Sequence, residues 1–189
     1  MNLKRICAAV AISALPCFCA SATNDLGTTL AQHPAWLQRR IHWERAPRDV
    51  NPNLSAGAAT VLYFSRDGRF GMLSGTVYKQ NHRVSVSNGD SESIYKGTWT
   101  ATGNSVHVVY QLIYHDVRIV DEKLPGPEQT VDFSLETNGK LLKVKAAHGL
   151  NLSGFEYEID PEFSTENLTS QFSFADRVIQ GENSDAKPR

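Results

Sequence analysis

The feature that most constrains the fold of this chain is a series of short strand-like segments between Thr60 and Ile159, each ended by a turn sequence. Within the segments apolar and polar residues alternate, as in "HRVSVS" at residues 82–87, which is typical of a half-buried strand. Asp67-Gly68, Asn88-Gly89-Asp90 and Gly103-Asn104 are turn sequences that separate segments. About eight strands at this spacing predict an all-β fold, an antiparallel barrel or sandwich, and we expect the barrel.

The two ends of the chain are less regular. Residues 23–59 are predicted to form an N-terminal arm and loop, although the alternation from Ala35 to Arg48 suits a strand or a helical turn. Asp160-Pro161-Glu162 predicts the start of a short C-terminal helix, while the alternation in "SQFSF" favours a final strand. We therefore expect the barrel domain over residues 60–179 and a disordered tail at 180–189.

The N-terminus predicts export. Lys4 and Arg5 precede an apolar run from Ile6 to Phe18, which is followed by Ala20-Ser21-Ala22. A basic head, an apolar run too short to span a bilayer and an A-x-A site are typical of a secretory signal peptide. We expect cleavage after Ala22, a mature protein that begins at Thr23, and a periplasmic or secreted location.

Removal of this leader changes the composition. All three cysteines of the chain lie within it, so a mature chain has no disulfide and no thiolate site. Of the 19 basic residues 17 remain, against 20 acidic residues, which gives a net charge of −3. An acidic chain does not suit a nucleic-acid binder, which needs a basic face. No further apolar run is long enough for a membrane span.

The stretch "YKGTWTATGNSVHVVY", together with "LYFSRDGRF" before it, carries a family resemblance. The order of strand, Asp-Gly turn, strand, Gly-x-Trp strand, Gly-Asn turn and strand is similar to that of lipocalin-like (calycin-type) β-barrel domains of exported bacterial proteins. Gly97 and Trp99 match the Gly-x-Trp motif, and the resemblance covers Thr60 to about Tyr114. It implies that the tryptophan closes one end of the barrel and that the glycine lets a neighbouring chain come close. In true lipocalins the motif lies in the first barrel strand, whereas here it follows three predicted strands.

The strands on either side of the Gly103-Asn104 turn each have one bulky apolar face. Pairing across the turn joins the two faces, and we expect the joined face to be buried inside a closed sheet. Its residues are Tyr95, Gly97 and Trp99 before the turn and Val106, Val108 and Tyr110 after it.

Two functions remain open. In the first, the barrel is a carrier that holds a small apolar ligand, and its predicted ligand-binding residues are Tyr63, Met72, Tyr95, Trp99 and Tyr110. In the second, the barrel is filled by its own side chains and its surface acts on an envelope protein partner, in assembly or as an inhibitor. A cavity would distinguish the two, because a small barrel is either just full or holds one ligand.

No catalytic residue, metal site or cofactor is predicted. His107 and His115 share a face of one strand but lie too far apart along it to bind one ion. Glu156 and Glu158 have a spacing used by inverting glycosidases, yet the solvated face of an amphipathic strand has the same pattern and is favoured. The sequence contains no G-x-S-x-G elbow, phosphate loop or dinucleotide motif.

Overall fold

The structure, a computed structural model, describes residues 26–47, 51, 53–115, 124–136, 138–165, 168 and 171–173, with residues 87–92 in backbone only. Within these residues lie the helix α1 (Leu26–Gln32) and ten strands. The strands are β1 (Ala35–Gln38), β2 (Glu44–Arg45), β3 (Leu54–Phe64), β4 (Arg69–Gln80), β5 (Arg83–Thr102), β6 (Ser105–His115), β7 (Gln129–Leu135), β8 (Leu141–His148), β9 (Glu156–Glu158) and β10 (Phe163–Ser164). A second short helix, α2, includes Leu168 and residues 171–173.

Eight of these strands close an antiparallel barrel. Their order around the ring is β1, β9, β8, β7, β6, β5, β4 and β3, and β3 pairs with β1 to complete it, with Trp36 opposite Leu62. β2 pairs with β3, and β10 lies parallel to β5; neither is a member of the ring. The predicted antiparallel barrel of about eight strands is confirmed.

The hairpin of β5 and β6 has the predicted turn and register. Gly103 has a φ of +59°, a left-handed conformation that glycine adopts without steric cost. The turn places Trp99 opposite Val108 and Gly97 opposite Tyr110. Tyr95, Val106, Val108 and Tyr110 of the joined apolar face are buried in the barrel core, as predicted, while Gly97 and Trp99 are partly exposed.

The turn predicted at Asn88-Gly89-Asp90 is wrong, because β5 runs without interruption from Arg83 to Thr102. The chain turns earlier, at Asn81 and His82, whose φ angles of 48° and 64° are those of a two-residue hairpin loop. The pairing of β4 with β5 shifts register around Gly75. The Asn-Gly-Asp sequence therefore lies in an irregular, bulged part of the strand pair, where turn-forming residues are tolerated.

The barrel begins at Ala35 rather than at Thr60, because β1 and residues 54–59 of β3 belong to it. The segment before β1 forms α1 instead of an arm or loop. Leu26 and Leu30, four residues apart on one helix face, are both fully buried in the barrel core. Arg66 Nε, in the β3–β4 turn, donates to Ala31 O at 3.3 Å, so α1 lies at the end of the barrel where this turn is found.

The helix start predicted at Asp160-Pro161-Glu162 is wrong. Asp160 Oδ1 accepts a hydrogen bond from Glu162 N at 2.7 Å, which makes a local turn. The chain then enters β10, where Phe163 lies beside Val84 of β5, and α2 follows. The strand expected from the alternation in "SQFSF" is also wrong, because residues 171–173 belong to α2, and residues 174–189 lie outside the described residues.

Two apolar clusters lie on opposite faces of β3, β4 and β5. Because side chains alternate along a strand, Leu62 and Met72 point into the barrel, while the adjacent Val61 and Leu73 point outward. The inner cluster consists of Leu26, Leu30, Trp36, Leu62, Phe64, Phe70, Met72, Tyr95, Val106, Val108, Tyr110, Val131, Phe133, Leu135, Leu142, Leu152 and Tyr157. The outer cluster consists of Leu37, Ala59, Val61, Leu73, Val77, Val84, Val86, Ile94, Ile113, Leu168 and Phe172.

Candidate functional site

Four of the five predicted ligand-binding residues lie at the inner cluster. Met72, Tyr95 and Tyr110 are members of it, and the partly buried Trp99 packs against it. Tyr63 packs instead against the outer cluster, so its predicted place in the barrel interior is wrong. The segment around Tyr63 is apolar on both faces, and alternation alone does not tell which face is inside.

Aromatic rings in contact run through the interior. The ring centroid of Phe64 lies 5.3 Å from that of Phe70, 5.8 Å from that of Trp99 and 6.2 Å from that of Phe133. These are the distances of tilted and edge-to-face aromatic packing. The ring of Tyr110 lies 6.1 Å from that of Phe70 and 5.8 Å from that of Tyr95. The ring of Tyr157 lies 5.9 Å from that of Phe133. Rings in contact leave less room for an apolar ligand inside a small barrel.

Three buried polar atoms in the interior have no well-formed hydrogen bond among the described residues: Trp36 Nε1 and the hydroxyls of Tyr110 and Tyr157. The Leu150 backbone lies near enough to the Tyr110 hydroxyl, and the Thr60 side chain to the Tyr157 hydroxyl, to offset part of the rise in the pKa of each group. Burial, with a smaller contribution from Tyr95, raises the pKa of Tyr110 to about 12. Burial also raises the pKa of Tyr157 above its usual value. An unpaired buried hydroxyl costs about 1–3 kcal/mol, so each of these atoms is a place for a water molecule or a polar ligand group.

A groove of about 330 Å³ lies on the outer wall of the barrel. Tyr63, Gly71 and Lys96 form one cross-strand row over β3, β4 and β5, and the ring of Phe172 from α2 lies directly on Gly71. The ring reaches the sheet there because glycine has no side chain. We call this site the outer groove; its lining residues are Tyr63, Ser65, Arg69, Phe70, Gly71, Lys96, Gly97, Phe172 and Ser173.

The β3–β4 turn builds the polar end of the outer groove. The Ser65 hydroxyl donates to Asp67 and accepts from Arg69 N at 2.9 Å, and Arg69 Nε donates to Asp67 Oδ2 at 2.7 Å. The hydrogen bond from Ser65 is the main cause of a lowered pKa of the Asp67 carboxyl, and Arg69 adds to it. Trp99 Nε1 donates to Ser65 O at 3.0 Å, which ties the turn to the end of the barrel.

The outer groove combines an apolar wall with two cations. The rings of Tyr63 and Phe172 lie side by side, with centroids 5.7 Å apart. Arg69 and Lys96 supply positive charge at the groove, and the Asp67 carboxylate, 2.7 Å from Arg69 Nε, offsets part of it. The groove therefore offers contact to an apolar group and to an anion within one site.

The charged residues considered from the sequence are paired on the surface of the barrel. His107 Nδ1 and Asp132 Oδ1, on adjacent strands, lie 2.7 Å apart. Arg39 donates to Glu156 at 3.1 Å, and its Nε lies 3.4 Å from Glu158. Such ion pairs on a solvated strand face need no catalytic role. In the described ranges, no three His, Cys, Asp or Glu side chains form a group that could hold a metal ion.

Sequence reasoning missed the site residues Ser65, Arg69, Lys96 and Phe172. The Asp67-Gly68 turn was visible in the sequence, but no motif connects it with a residue of the C-terminal helix. The available signal was Gly71, because a glycine inside a strand marks close approach by another part of the chain.

The part of the chain that the structure describes contains no helix long and apolar enough to cross a membrane. Comparisons with family models, curated proteins and solved structures gave no match. The lipocalin-like family therefore stays a prediction, and the function is argued from the geometry of the molecule.

Proposed function

We propose that the protein is an exported, non-catalytic binding protein that acts through its surface, with the outer groove as its binding site. The observation that supports this proposal is the series of contacting rings that fills the barrel from Tyr95 to Tyr157. A filled barrel leaves binding to the outside, where Tyr63 and Phe172 border a concave site with convergent polar groups. The partner is a small molecule or an envelope protein that presents a matching group.

Two reporters separate the groove from the barrel interior. Met72 is the one methionine besides Met1, and it is fully buried in the inner cluster, so a labelled methionine methyl reports the interior. Trp99 is hydrogen-bonded to the groove residue Ser65 and also packs against the inner cluster, so a fluorinated tryptophan at this position responds to both sites. A change at Trp99 without a change at Met72 therefore identifies the groove. The variants Trp43→Phe and Trp99→Phe assign the fluorine signals.

The experiment is a titration of the mature protein with a panel of apolar and amphipathic small molecules, followed by NMR of both reporters. We expect a saturable change of the Trp99 fluorine signal while the Met72 methyl signal stays unchanged. A saturable shift of the Met72 methyl would place the ligand inside the barrel and contradict the proposal.

A second candidate function is the predicted carrier, with a small ligand inside the barrel. The unpaired Trp36 Nε1, Tyr110 hydroxyl and Tyr157 hydroxyl favour a ligand with a polar group that meets them. Such a ligand has to displace interior rings, so it would shift the Met72 methyl. Mass spectrometry of small molecules that co-purify with the protein tests this function independently.

Export is part of the proposal and rests on residues 1–22, which lie outside the described residues. The exported protein is expected to begin at Thr23 and to unfold at the same temperature with and without reductant, because no cysteine follows Cys19. N-terminal sequencing that starts at Met1, or a mass that shows lipid on Cys17 or Cys19, would contradict it.

A further inference from the structure

We infer that the outer groove binds a small amphipathic carboxylate, an aryl or short alkyl group that bears one carboxylate. This inference rests on the proposed function, because it assigns a ligand class to the same groove. Three features of the groove carry it: the placement of the two cations, the pair of rings beside them and the volume of the site.

The two cations lie close together on the outer face. Lys96 is paired with Gly71, and Arg69 precedes Gly71 by two positions on β4, so both side chains project from the same face. Diagonal neighbours of this kind have Cα atoms about 7–8 Å apart, which two long side chains easily bridge. One anionic group above the sheet can therefore contact both.

The guanidinium of Arg69 favours a planar anion. Its hydrogen bond to Asp67 uses Nε, and a guanidinium has four further N–H donors in a fixed fork. This fork matches the two oxygens of a carboxylate, and the resulting charge-assisted hydrogen bonds are stronger than neutral ones. The Asp67 carboxylate contacts Arg69 at Nε only, so the rest of the exposed guanidinium can reach an anion.

The rings beside the cations select an apolar body for the ligand. Tyr63 remains partly exposed at the groove, and the ring of Phe172 is held against it, with a 44° angle between the ring planes. An aryl or alkyl group that covers the exposed ring surface is removed from water, which favours binding. The groove volume of about 330 Å³ is at the lower end of the range for ligand sites, which suits a small acid.

The test compares three probes of the same size: 3-phenylpropionate, its neutral amide and the corresponding amine, phenylpropylamine. Each is titrated into the mature protein and followed by calorimetry and by the Trp99 fluorine signal. We expect the carboxylate to bind about tenfold more tightly than the amide, the amine not to bind, and the affinity for the carboxylate to fall as salt is raised. Phenyl phosphate is a fourth probe, and tighter binding of this dianion than of the carboxylate would overturn the assigned class.

Variants test the cations and the aromatic ring of the groove separately. The double variant Arg69→Gln/Lys96→Gln is expected to weaken carboxylate binding by about tenfold and to leave amide binding unchanged. Tyr63→Leu is expected to weaken both. The control Arg45→Gln/Lys140→Gln removes the same charge from two exposed residues outside the groove lining, and it should change neither. Thermal unfolding of each variant checks that it is folded.

The outcomes separate this inference from the proposed function. Equal binding of carboxylate and amide, weakened by Tyr63→Leu alone, would overturn the carboxylate class and leave the groove as the binding site. Binding that shifts the Met72 methyl would overturn both. If none of the probes binds to the wild-type protein, the carboxylate inference is wrong, while the wider panel of small molecules still decides the proposed function.

Discussion

The inner and outer faces of strands β3, β4 and β5 are covered in different ways. The inner face is packed by neighbouring barrel strands, whose register already brings Met72, Tyr95 and Tyr110 together. The outer face is covered by segments from outside the ring, including Leu168 and Phe172 of the C-terminal helix. The inner face is therefore part of the barrel itself, whereas the outer face depends on docked segments and can change without opening the barrel.

Two glycines show this difference at the level of atoms. A side chain at Gly97, in the barrel wall, would meet the carbonyl oxygen of Val109 and would lie 2.7 Å from Tyr110 Cα, both of which are backbone atoms. The three atoms nearest to a side chain at Gly71 would all belong to the ring of Phe172, with Cε1 at 2.6 Å. Backbone in a paired strand cannot move without loss of its hydrogen bonds, but a ring at the end of a side chain can rotate away.

Gly97→Ala is expected to have the largest effect. The added Cβ forces β5 and β6 apart where Gly97 pairs with Tyr110, so we expect the free energy of unfolding to fall by about 4 kcal/mol or more, or the chain not to fold. Urea unfolding measures the change, with Thr98→Ala at the exposed neighbouring position as control. A loss below about 1 kcal/mol would show that the backbone of β6 does not enclose Gly97 tightly.

Trp99→Ala is expected to destabilise the protein by about 3 kcal/mol, the lower end for deletion of a large aromatic side chain, because Trp99 is only partly buried. The loss combines its edge contact with Phe64 and its hydrogen bond to Ser65 O. Trp99→Phe keeps much of the packing and should recover all but about 1 kcal/mol, the usual contribution of one hydrogen bond. A Trp99→Ala variant with the urea midpoint of the parent would mean that this residue does not close the barrel end.

The buried hydroxyl of Tyr110 makes the inner face sensitive to alkaline pH. Its pKa is about 12 in the folded protein and about 10 in the unfolded chain, so its contribution to stability is complete below pH 10 and is lost as the pH rises through 12. Between pH 9 and pH 11 the wild type should lose about 1.4 kcal/mol more than Tyr110→Phe. Urea unfolding of both proteins at the two pH values measures the difference. Equal pH dependence would mean that the hydroxyl reaches solvent.

The inner face was predictable because it follows from local patterns. Alternation placed Tyr95 and Trp99 on one face, the Gly103-Asn104 turn set the register with β6, and the structure confirms both. The pattern failed where neither face is polar, at Tyr63, and where a turn sequence lies inside a bulged strand, at Asn88-Gly89-Asp90. It also failed for β1, because a strand of four residues gives too short an alternation to be told from a turn of helix.

The outer groove was not predictable in the same way. Its apolar wall joins Tyr63 to Phe172, and its cations come from two further strands. The local sequence of α2 does not predict where the helix packs on the barrel. That position depends on the shape of the outer cluster and on the space over Gly71. Tertiary packing of this kind is visible only once the strands are in place.

The smallest effect is expected from Gly71→Ala, on the outer face. The atoms nearest to the new methyl group belong to the Phe172 ring, which can rotate away, so we expect a loss of about 1 kcal/mol in the free energy of unfolding. A double-mutant cycle tests the cause, because Phe172→Ala removes the ring that the methyl group meets. In the Phe172→Ala background, Gly71→Ala should therefore cost almost nothing.

The same cycle with Gly97→Ala in place of Gly71→Ala is the matched control. Gly97 meets the backbone of Val109 and Tyr110, so its substitution should be equally damaging with or without the Phe172 ring. If Gly71→Ala costs as much in both backgrounds, then Phe172 does not rest on Gly71 in solution. The outer groove would lose its aromatic wall, while the ring contacts inside the barrel would be unaffected, because none of them involves Phe172.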